Sequence, residues 1–439
     1  MIAYHFPPFA GSGTFRTLSW SRLLAKRGWD INVLTARNPE PPLDDHLLEQ
    51  IPASVRIQRT PCMNPMESLN KIWIRRKSQS RDSIPLGDEH VSSKEAKGLK
   101  DWLTWWLHIP DNRIGWLPFS LKKAAQIMKE NKASLIYSTS PFTTAHLIAL
   151  LTKKICGIPW VADFRDPWRA NPFRKIPYRS ADKWDEFLES CTMKQADHII
   201  CVTANMKQDF INRYPFTKGK ISYIPNGYDP EEYEDLEPLR EFDEDCFVLT
   251  HAGTFYGPRS PLPIFEALSR LQRESPELIR KIRLQLIGIT EYNGEGIEDI
   301  AKRFGIDSLV KVIPPLNKKE ALRYMKGSDA LLLVGFKGGN SDMQVPGKFF
   351  EYMAIDRPIF VVAPKASSIG EIFYGDNISG EISEPDDIPD ISNKLMRMIK
   401  NDQGHPINKI EKFNRHVLVQ QLEKILISLN CGSDYFKEN

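Results

Sequence analysis

The run Val345-Pro346-Gly347-Lys348-Phe349-Phe350-Glu351-Tyr352-Met353-Ala354, followed by Asp356-Arg357-Pro358-Ile359-Phe360-Val361-Val362, sets a helix pattern directly before a buried strand. Pro346 suits a helix start, because its fixed φ matches the first turn and its missing N–H would have had no partner there. Phe349, Phe350 and Met353 fall on a core-facing side. Lys348 and Glu351, at i and i+3, project together from one face. The helix N-terminus also presents free backbone N–H groups and the positive end of a dipole to an anion. A nucleoside diphosphate fits both halves of this pair: its phosphates take the N–H groups and the ammonium, and its ribose hydroxyls donate to the carboxylate. The same residues also describe a core helix with a surface lysine–glutamate pair, and the run alone leaves both readings open.

Outward from this run, strand and helix patterns alternate as a parallel sheet demands. In the first half the spacing predicts strands over 31–35, 55–59, 135–138, 160–164 and 198–202, separated by helices over 16–27, 121–130, 143–156 and 181–195. After Asn226-Gly227 the pattern restarts, with strands over 247–252, 282–287, 310–313, 330–333 and 359–362. Each half reads as a Rossmann-like, doubly wound α/β domain. The length of 439 residues also exceeds what one core serves. The acidic, proline-bearing stretch 229–245 has few apolar residues, so the domains are drawn as 1–228 and 229–411. A terminal helix around 413–429 carries Phe413, Val417, Leu422, Ile425 and Leu429 on one side. Met1 stands only a few residues before the turn at Pro7-Pro8, whereas a central strand usually has ~5–6 residues. Either the first strand is short or the natural start lies upstream of Met1, and the second is the expectation.

Composition narrows the function classes. Apolar residues make up 41% of the chain, enough for ordinary cores. No run of eighteen apolar residues occurs and no basic segment precedes an apolar one at the N-terminus, so neither a transmembrane helix nor a signal peptide is expected and the chain is placed in the cytoplasm. Six cysteines (Cys62, Cys156, Cys191, Cys201, Cys246 and Cys431) lack metal-ligand or CxxC spacing, which predicts reduced thiols and no zinc site. A net charge of +3 makes no case for nucleic acid.

Three further segments precede the opening run in order. Tyr4-His5-Phe6-Pro7-Pro8-Phe9-Ala10-Gly11-Ser12-Gly13-Thr14-Phe15-Arg16 leads from a first strand into a helix. Val161-Ala162-Asp163-Phe164-Arg165-Asp166-Pro167-Trp168 and Pro225-Asn226-Gly227-Tyr228-Asp229 follow. Together with 345–354 these resemble the family 4-type retaining glycosyltransferases of the GT-B fold, nearly end to end. The variant with Lys348 before Glu351-Tyr352 is similar to a subset of bacterial and archaeal cell-surface polysaccharide transferases. The resemblance implies two Rossmann-like domains facing a central cleft, the first acceptor-side and the second nucleotide-sugar-binding, with a helix over 412–439 crossing back to the first. It implies transfer of a hexosyl-type sugar, with retention, from a nucleotide-diphosphate sugar to a glycan or lipid-linked acceptor, and neither metal nor other cofactor. Two alternatives stay open: a GT-B nucleotide-sugar epimerase and a non-catalytic nucleotide-sugar-binding module.

The glycine loop is not a dinucleotide fingerprint, since Arg16 stands where the third glycine belongs and 34–38 offers no acid for a ribose. Gly11 and Gly13 are expected to let the backbone approach the donor diphosphate or the acceptor across the cleft; a tight strand-to-helix turn is the alternative. Asp163, Arg165 and Asp166 sit at the carboxyl end of a predicted strand, where open sheets bind ligands. Many family members carry a histidine where this chain has Arg165, so the group is expected to recognise a phosphate or polar acceptor rather than to move a proton; the alternative is an internal Arg–Asp pair. His146, on an apolar helix, reads as structural. In the second half Gly253, Thr254 and Arg259 resemble the family's second phosphate grip, and Pro315 lies in the loop that faces the nucleobase in similar enzymes. Many members pair Glu351 with a second glutamate; here that position is Met343, and Asp342 and Gln344 beside it are expected at the donor sugar. Lys348, Arg259 and Glu351 form the expected catalytic set, with charge on the departing diphosphate met by cations and helix N–H groups. No DxD motif stands in a suitable setting.

An insertion over about 62–118 carries Trp73, Trp102, Trp105, Trp106 and Trp116 with Lys71, Arg75, Arg76, Lys77 and Arg81. Trp102 and Trp106 would share a helical face, with Trp105 beside them. Tryptophans prefer the headgroup level and basic residues attract anionic lipid, so 71–116 is expected to touch the inner face of a membrane holding a lipid-linked acceptor. Ordinary core packing is the alternative.

Overall fold

A computed structural model describes residues 1–37, 41–63, 102, 105–172, 174, 176–400 and 410–435. The chain forms two compact units, Met1–Asn226 joined by the chain from His416, and Gly227–Arg415.

The first unit is built on seven parallel strands: β1 Ile2–Ala3, β2 Asn32–Ala36, β3 Arg56–Thr60, β4 Ile136–Thr139, β5 Trp160–Phe164, β6 His198–Cys201 and β7 Ile221–Tyr223, in the order β3-β2-β1-β4-β5-β6-β7. β4 and β5 are buried throughout. They read as near-continuous apolar or small-residue runs because helices cover both faces of a parallel sheet. The helices Ser12–Lys26, Leu117–Glu130, Thr144–Cys156, Arg179–Gln195 and Ala204–Arg213 lie between the strands in sequence. Asp111 fixes the start of the helix Thr144–Cys156, accepting from the Thr144 N–H at 2.7 Å and from both threonine hydroxyls, Thr143 at 2.9 Å and Thr144 at 2.8 Å. The terminal helix Arg415–Tyr435 belongs to this unit: Leu418, Val419, Leu422 and Leu426 join Trp20, Leu23 and Val33 in one core. Glu423 clasps it outside, accepting from Arg27 Nε at 2.6 Å and Trp29 Nε1 at 2.9 Å.

The second unit carries β8 Phe247–Ala252, β9 Ile282–Ile287, the short hairpin β10 Glu291–Tyr292 and β11 Glu295–Gly296, then β12 Val310–Ile313, β13 Ala330–Val334, β14 Ile359–Val362 and β15 Gly380–Ser383. Apart from the hairpin these form one parallel sheet, ordered β12-β9-β8-β13-β14-β15. The strand order reverses between β8 and β13, and the carboxyl ends on either side of such a reversal frame a ligand crevice. The stretch 229–245 is packed onto this unit, with Tyr233 and Leu236 in its core. Both edge strands β7 and β15 lie outside the strands expected from the sequence. They are short and partly polar (Ile-Ser-Tyr and Gly-Glu-Ile-Ser), so neither shows a buried-strand run.

Candidate functional site

The helix Gly347–Ile355 begins after Pro346, whose ψ of 140° is extended, and ends at Asp356 in the left-handed region at φ 61°. Phe349, Phe350, Tyr352 and Met353 are fully buried, so the core fixes the helix and its polar positions follow. The Tyr352 hydroxyl accepts from the Ala252 N–H at 3.1 Å, which ties the helix to the end of β8. Lys348 then lies across Gly253: a Cβ on Gly253 would sit 2.3 Å from Lys348 Cε and Nζ, and Gly253 has φ +132°. Only glycine tolerates both.

Lys348 is half-buried and forms no hydrogen bond or ion pair among the described residues. Desolvation holds its ammonium below the ordinary lysine value, partly opposed by Glu351. Glu351 is also half-buried and has no hydrogen bond or ion pair among the described residues. The two share a face and attract each other without forming a direct ion pair, so both charges remain available to a ligand. Beside them His251, buried at the end of β8, stacks on Phe255 at 4.5 Å and places Nδ1 2.8 Å from the Leu332 carbonyl, while Nε2 has no partner. Burial, with Lys348 and Arg259 nearby, lowers its pKa to about 3. It is therefore a neutral imidazole in this setting.

Arg259 projects from the turn after β8. Its guanidinium lies 5.0 Å from the Tyr256 ring centre and 5.7 Å from that of Phe336, donates to the Tyr256 hydroxyl, and leaves Nε unpaired. It lines a hollow with Gly335, Phe336, Ser341, Gln344 and Pro346. The structure thus brings together Gly253, Arg259, Gln344 and the start of the Lys348 helix. Asp342 is exposed in the turn Ser341–Met343, Met343 is buried, and Thr254 and Pro315 are exposed in loops after β8 and β12. Among the described residues no cluster of His, Cys, Asp or Glu is placed to hold a metal ion.

The first unit gathers a different group at the ends of β1, β4 and β5. Asp163, expected on the acceptor side, is instead taken up internally. Arg16 donates to both its oxygens, from Nε and Nη2 at 3.0 Å each, and Tyr137 and Thr139 donate at 2.6 and 2.9 Å. Arg16 also donates to the carbonyls of Pro225, at 2.6 Å, and Ile224, at 3.1 Å. Burial alone would raise the Asp163 carboxyl; Arg16 and Tyr137 reverse this and hold it below the usual carboxylate range. The internal pair therefore exists, with Arg16 rather than Arg165 as its cation, and sequence reasoning missed that partner. A signal was present: Arg16 is the single charge in a stretch of small and apolar residues from 6 to 21, and a charge on a buried helix face calls for a partner.

Arg165 donates Nη1 to the Gly13 carbonyl at 2.5 Å and leaves Nε unpaired. Asp166, its electrostatic partner, is half-buried beside it. Gly13 has no room for a side chain, since a Cβ would lie 2.2 Å from His5 Nδ1, and a Cβ on Gly11 would strike the Phe9 ring. The glycine loop is thus packed against His5 and Phe9. His146 is buried, with Nδ1 2.8 Å from the Ser138 hydroxyl, as its structural reading anticipated.

Of the insertion, Trp116 is core: it is fully buried and donates Nε1 to Thr60 at 2.8 Å. Trp102 and Trp106 lie 5.7 Å apart and share a face, and Trp105 is half-buried. Lys71, Trp73, Arg75, Arg76, Lys77 and Arg81 lie outside the described residues. No helix among the described residues is long and apolar enough to cross a membrane.

Residues 91–232 match the family model described as Glycosyltransferase Family 4. Two curated proteins named D-inositol 3-phosphate glycosyltransferase are similar in sequence. That of Nocardioides sp. is 22% identical over 229 residues, 49% of this chain and 48% of its own length. That of Stackebrandtia nassauensis is 24% identical over 152 residues, 33% of this chain and 34% of its own. The match thus spans between a third and a half of these relatives. Among solved structures, sucrose-phosphate synthase from Thermosynechococcus elongatus superposes with a TM-score of 0.66 at 15% identity, covering 98% of both chains. Anabaena HepE in complex with UDP-glucose gives 0.62 at 13%, covering 97% of this chain and 99% of that one. The fold is GT-B.

Proposed function

We propose that the chain is a retaining glycosyltransferase that moves a hexosyl-type sugar from a nucleotide-diphosphate sugar to a glycan or lipid-linked acceptor, in cell-surface polysaccharide synthesis at the inner face of a membrane. The observation that carries it is the Lys348 ammonium, half-buried, without a hydrogen-bond or ion-pair partner among the described residues, and laid across Gly253 at a helix N-terminus. An unneutralised cation in that position awaits an anion. The family match over 91–232 and the UDP-glucose complex of HepE support the same reading.

In the proposed reaction the bond from the anomeric carbon to the diphosphate breaks as the acceptor hydroxyl oxygen attacks the same face, and the hydroxyl proton leaves with the diphosphate. Negative charge grows on the leaving oxygens, where Lys348, Arg259 and the N–H groups at the start of 347–355 stabilise it. Glu351 accepts from the ribose hydroxyls. Gln344 and Asp342 serve the sugar, and the 314–316 loop faces the base. In the first unit Arg165 and Asp166 recognise a phosphate or other polar group of the acceptor. No metal is called on.

Thermal shift with UDP, GDP and their sugars tests the donor site. A bound nucleotide at a hundred times its dissociation constant stabilises by ~2.7 kcal/mol, and no shift with any of them would remove the donor reading. Product analysis with the nucleotide that binds separates the alternatives: a rearranged nucleotide sugar without transfer indicates an epimerase. Arg165→Ala is expected to keep nucleotide affinity and lose transfer; loss of both would tie Arg165 to the fold.

A further inference from the structure

The 179–195 helix of the first unit carries a feature that the donor and acceptor residues leave unused. Trp184 and Phe187 are 42% and 53% exposed, and their rings stack at 5.2 Å. Trp184 stacks in turn on Trp106 at 6.5 Å, and Trp106 meets Trp102, itself 36% exposed. Four aromatic rings from two segments thus form one continuous surface row, where isolated exposed rings would carry no argument.

The charges of the same helix are sorted around it. Its carboxylates are all engaged: Asp182 and Glu186 with Arg169 at 2.8 and 3.5 Å, Asp185 with Arg174 at 2.6 Å, and Glu189 with Arg213 at 2.5 Å. Arg179, Lys183 and Lys194 have no acidic partner among the described residues. At 3.6 residues per turn, Lys183 and Lys194 fall beside Phe187, while the paired acids lie round the helix from it. The face is therefore aromatic and cationic at once. Rings at headgroup depth with lysines beside them match an anionic lipid surface, and a neutral apolar partner would leave those lysines unmatched.

We propose that Trp102, Trp106, Trp184 and Phe187, flanked by Lys183 and Lys194, form the surface by which this chain docks on an anionic membrane. This rests on the reading that the acceptor is met at a membrane, and it extends the contact from Trp102 and Trp106 of the 71–116 insertion onto a helix outside it.

Flotation of the full chain with phosphatidylglycerol vesicles and with phosphatidylcholine vesicles, at low and high salt, tests it beside Trp184→Ser/Phe187→Ser and Lys183→Glu/Lys194→Glu. The wild type should co-float with phosphatidylglycerol at low salt, lose this at high salt, and bind phosphatidylcholine weakly. Each double variant should bind about tenfold more weakly. Brominated lipid should quench wild-type tryptophan fluorescence and quench the Trp184→Ser/Phe187→Ser variant less. Absence of co-flotation at low salt, or double variants that bind like the wild type, would overturn the proposal. So would a wild-type dimer that the aromatic variant abolishes without any vesicle binding, which would give the row to a second copy of this chain. Nucleotide thermal shifts on the same samples keep the two readings apart, because the variants should retain the wild-type shift.

Discussion

Asp163 with Arg16 in the first unit and Lys348 with Glu351 in the second occupy comparable places: each group stands at or beside the carboxyl end of a parallel strand, near the point where strand order reverses. Their electrostatics differ completely. Asp163 and Arg16 are no more than 2% exposed, and four side-chain hydrogen bonds reach the carboxylate. Lys348 and Glu351 are half-buried and bonded to nothing among the described residues. A strand-end charge whose bonding capacity the fold leaves open is thus a stronger ligand-site candidate than one whose pair the fold has completed. Where the fold completes the pair, the charges hold the chain together instead.

The sharpest way to break this contrast is Asp163→Ala. It strands the Arg16 guanidinium in the core, and losing one partner of a buried pair costs about 3–5 kcal/mol. Urea unfolding should show that loss, and Arg16→Met/Asp163→Leu should recover most of it. A near-neutral single variant would mean the pair is not structural.

Lys348→Ala should act oppositely on the two readouts. Removing one cation from a diphosphate-leaving reaction should lower turnover about 10²–10³-fold, ~2.7–4 kcal/mol, while the melting temperature holds or rises. The pH dependence has a defined sign. Because the native lysine pKa lies below its unfolded value, the unfolded chain binds more protons between the two, so wild-type stability gains with rising pH in that alkaline window. The variant should lack that gain. Full turnover, or a collapsed melting temperature, would erase the distinction between the two centres.

The smallest expected effect is Glu351→Gln. Hydrogen bonds to a charged group contribute about 1.5–3 kcal/mol, and the loss should appear in nucleoside affinity by calorimetry, with turnover at saturating donor largely kept. A turnover loss as large as that of Lys348→Ala would place Glu351 at the reacting carbon.

The alternating architecture was legible because apolar runs announce themselves. The strands Phe247–Ala252, Ile282–Ile287, Val310–Ile313 and Ile359–Val362 form at the residues that the pattern marks. The 347–355 helix was equally readable, since proline punctuation and aromatic spacing coincide there. The Asp163–Arg16 pair was not, since its members stand 147 residues apart and local spacing says nothing about such a meeting. Trp184 and Phe187 escaped for a related reason: alone on the 179–195 helix they look like ordinary amphipathic positions, and only folding lines them up with Trp102 and Trp106. The unpartnered Nε2 of His251 was invisible because tautomer and burial are tertiary properties.

The neck of the second unit has a consequence for how the chain could have been assembled. The Asp229 carboxylate accepts from Arg415 at 2.6 Å, the Tyr228 N–H donates to the Phe413 carbonyl at 3.0 Å, and the Arg415 N–H returns to the Tyr228 carbonyl at 2.9 Å. The first and last residues of Gly227–Arg415 are therefore stitched side by side, like the ends of a purse drawn by its string. A segment whose entry and exit coincide has the geometry of an insertion carried by a host, and the host must wait for the ribosome to finish the insert before its own closing helix, Arg415–Tyr435, exists. Completion of the first unit's core therefore cannot precede synthesis of the whole second unit.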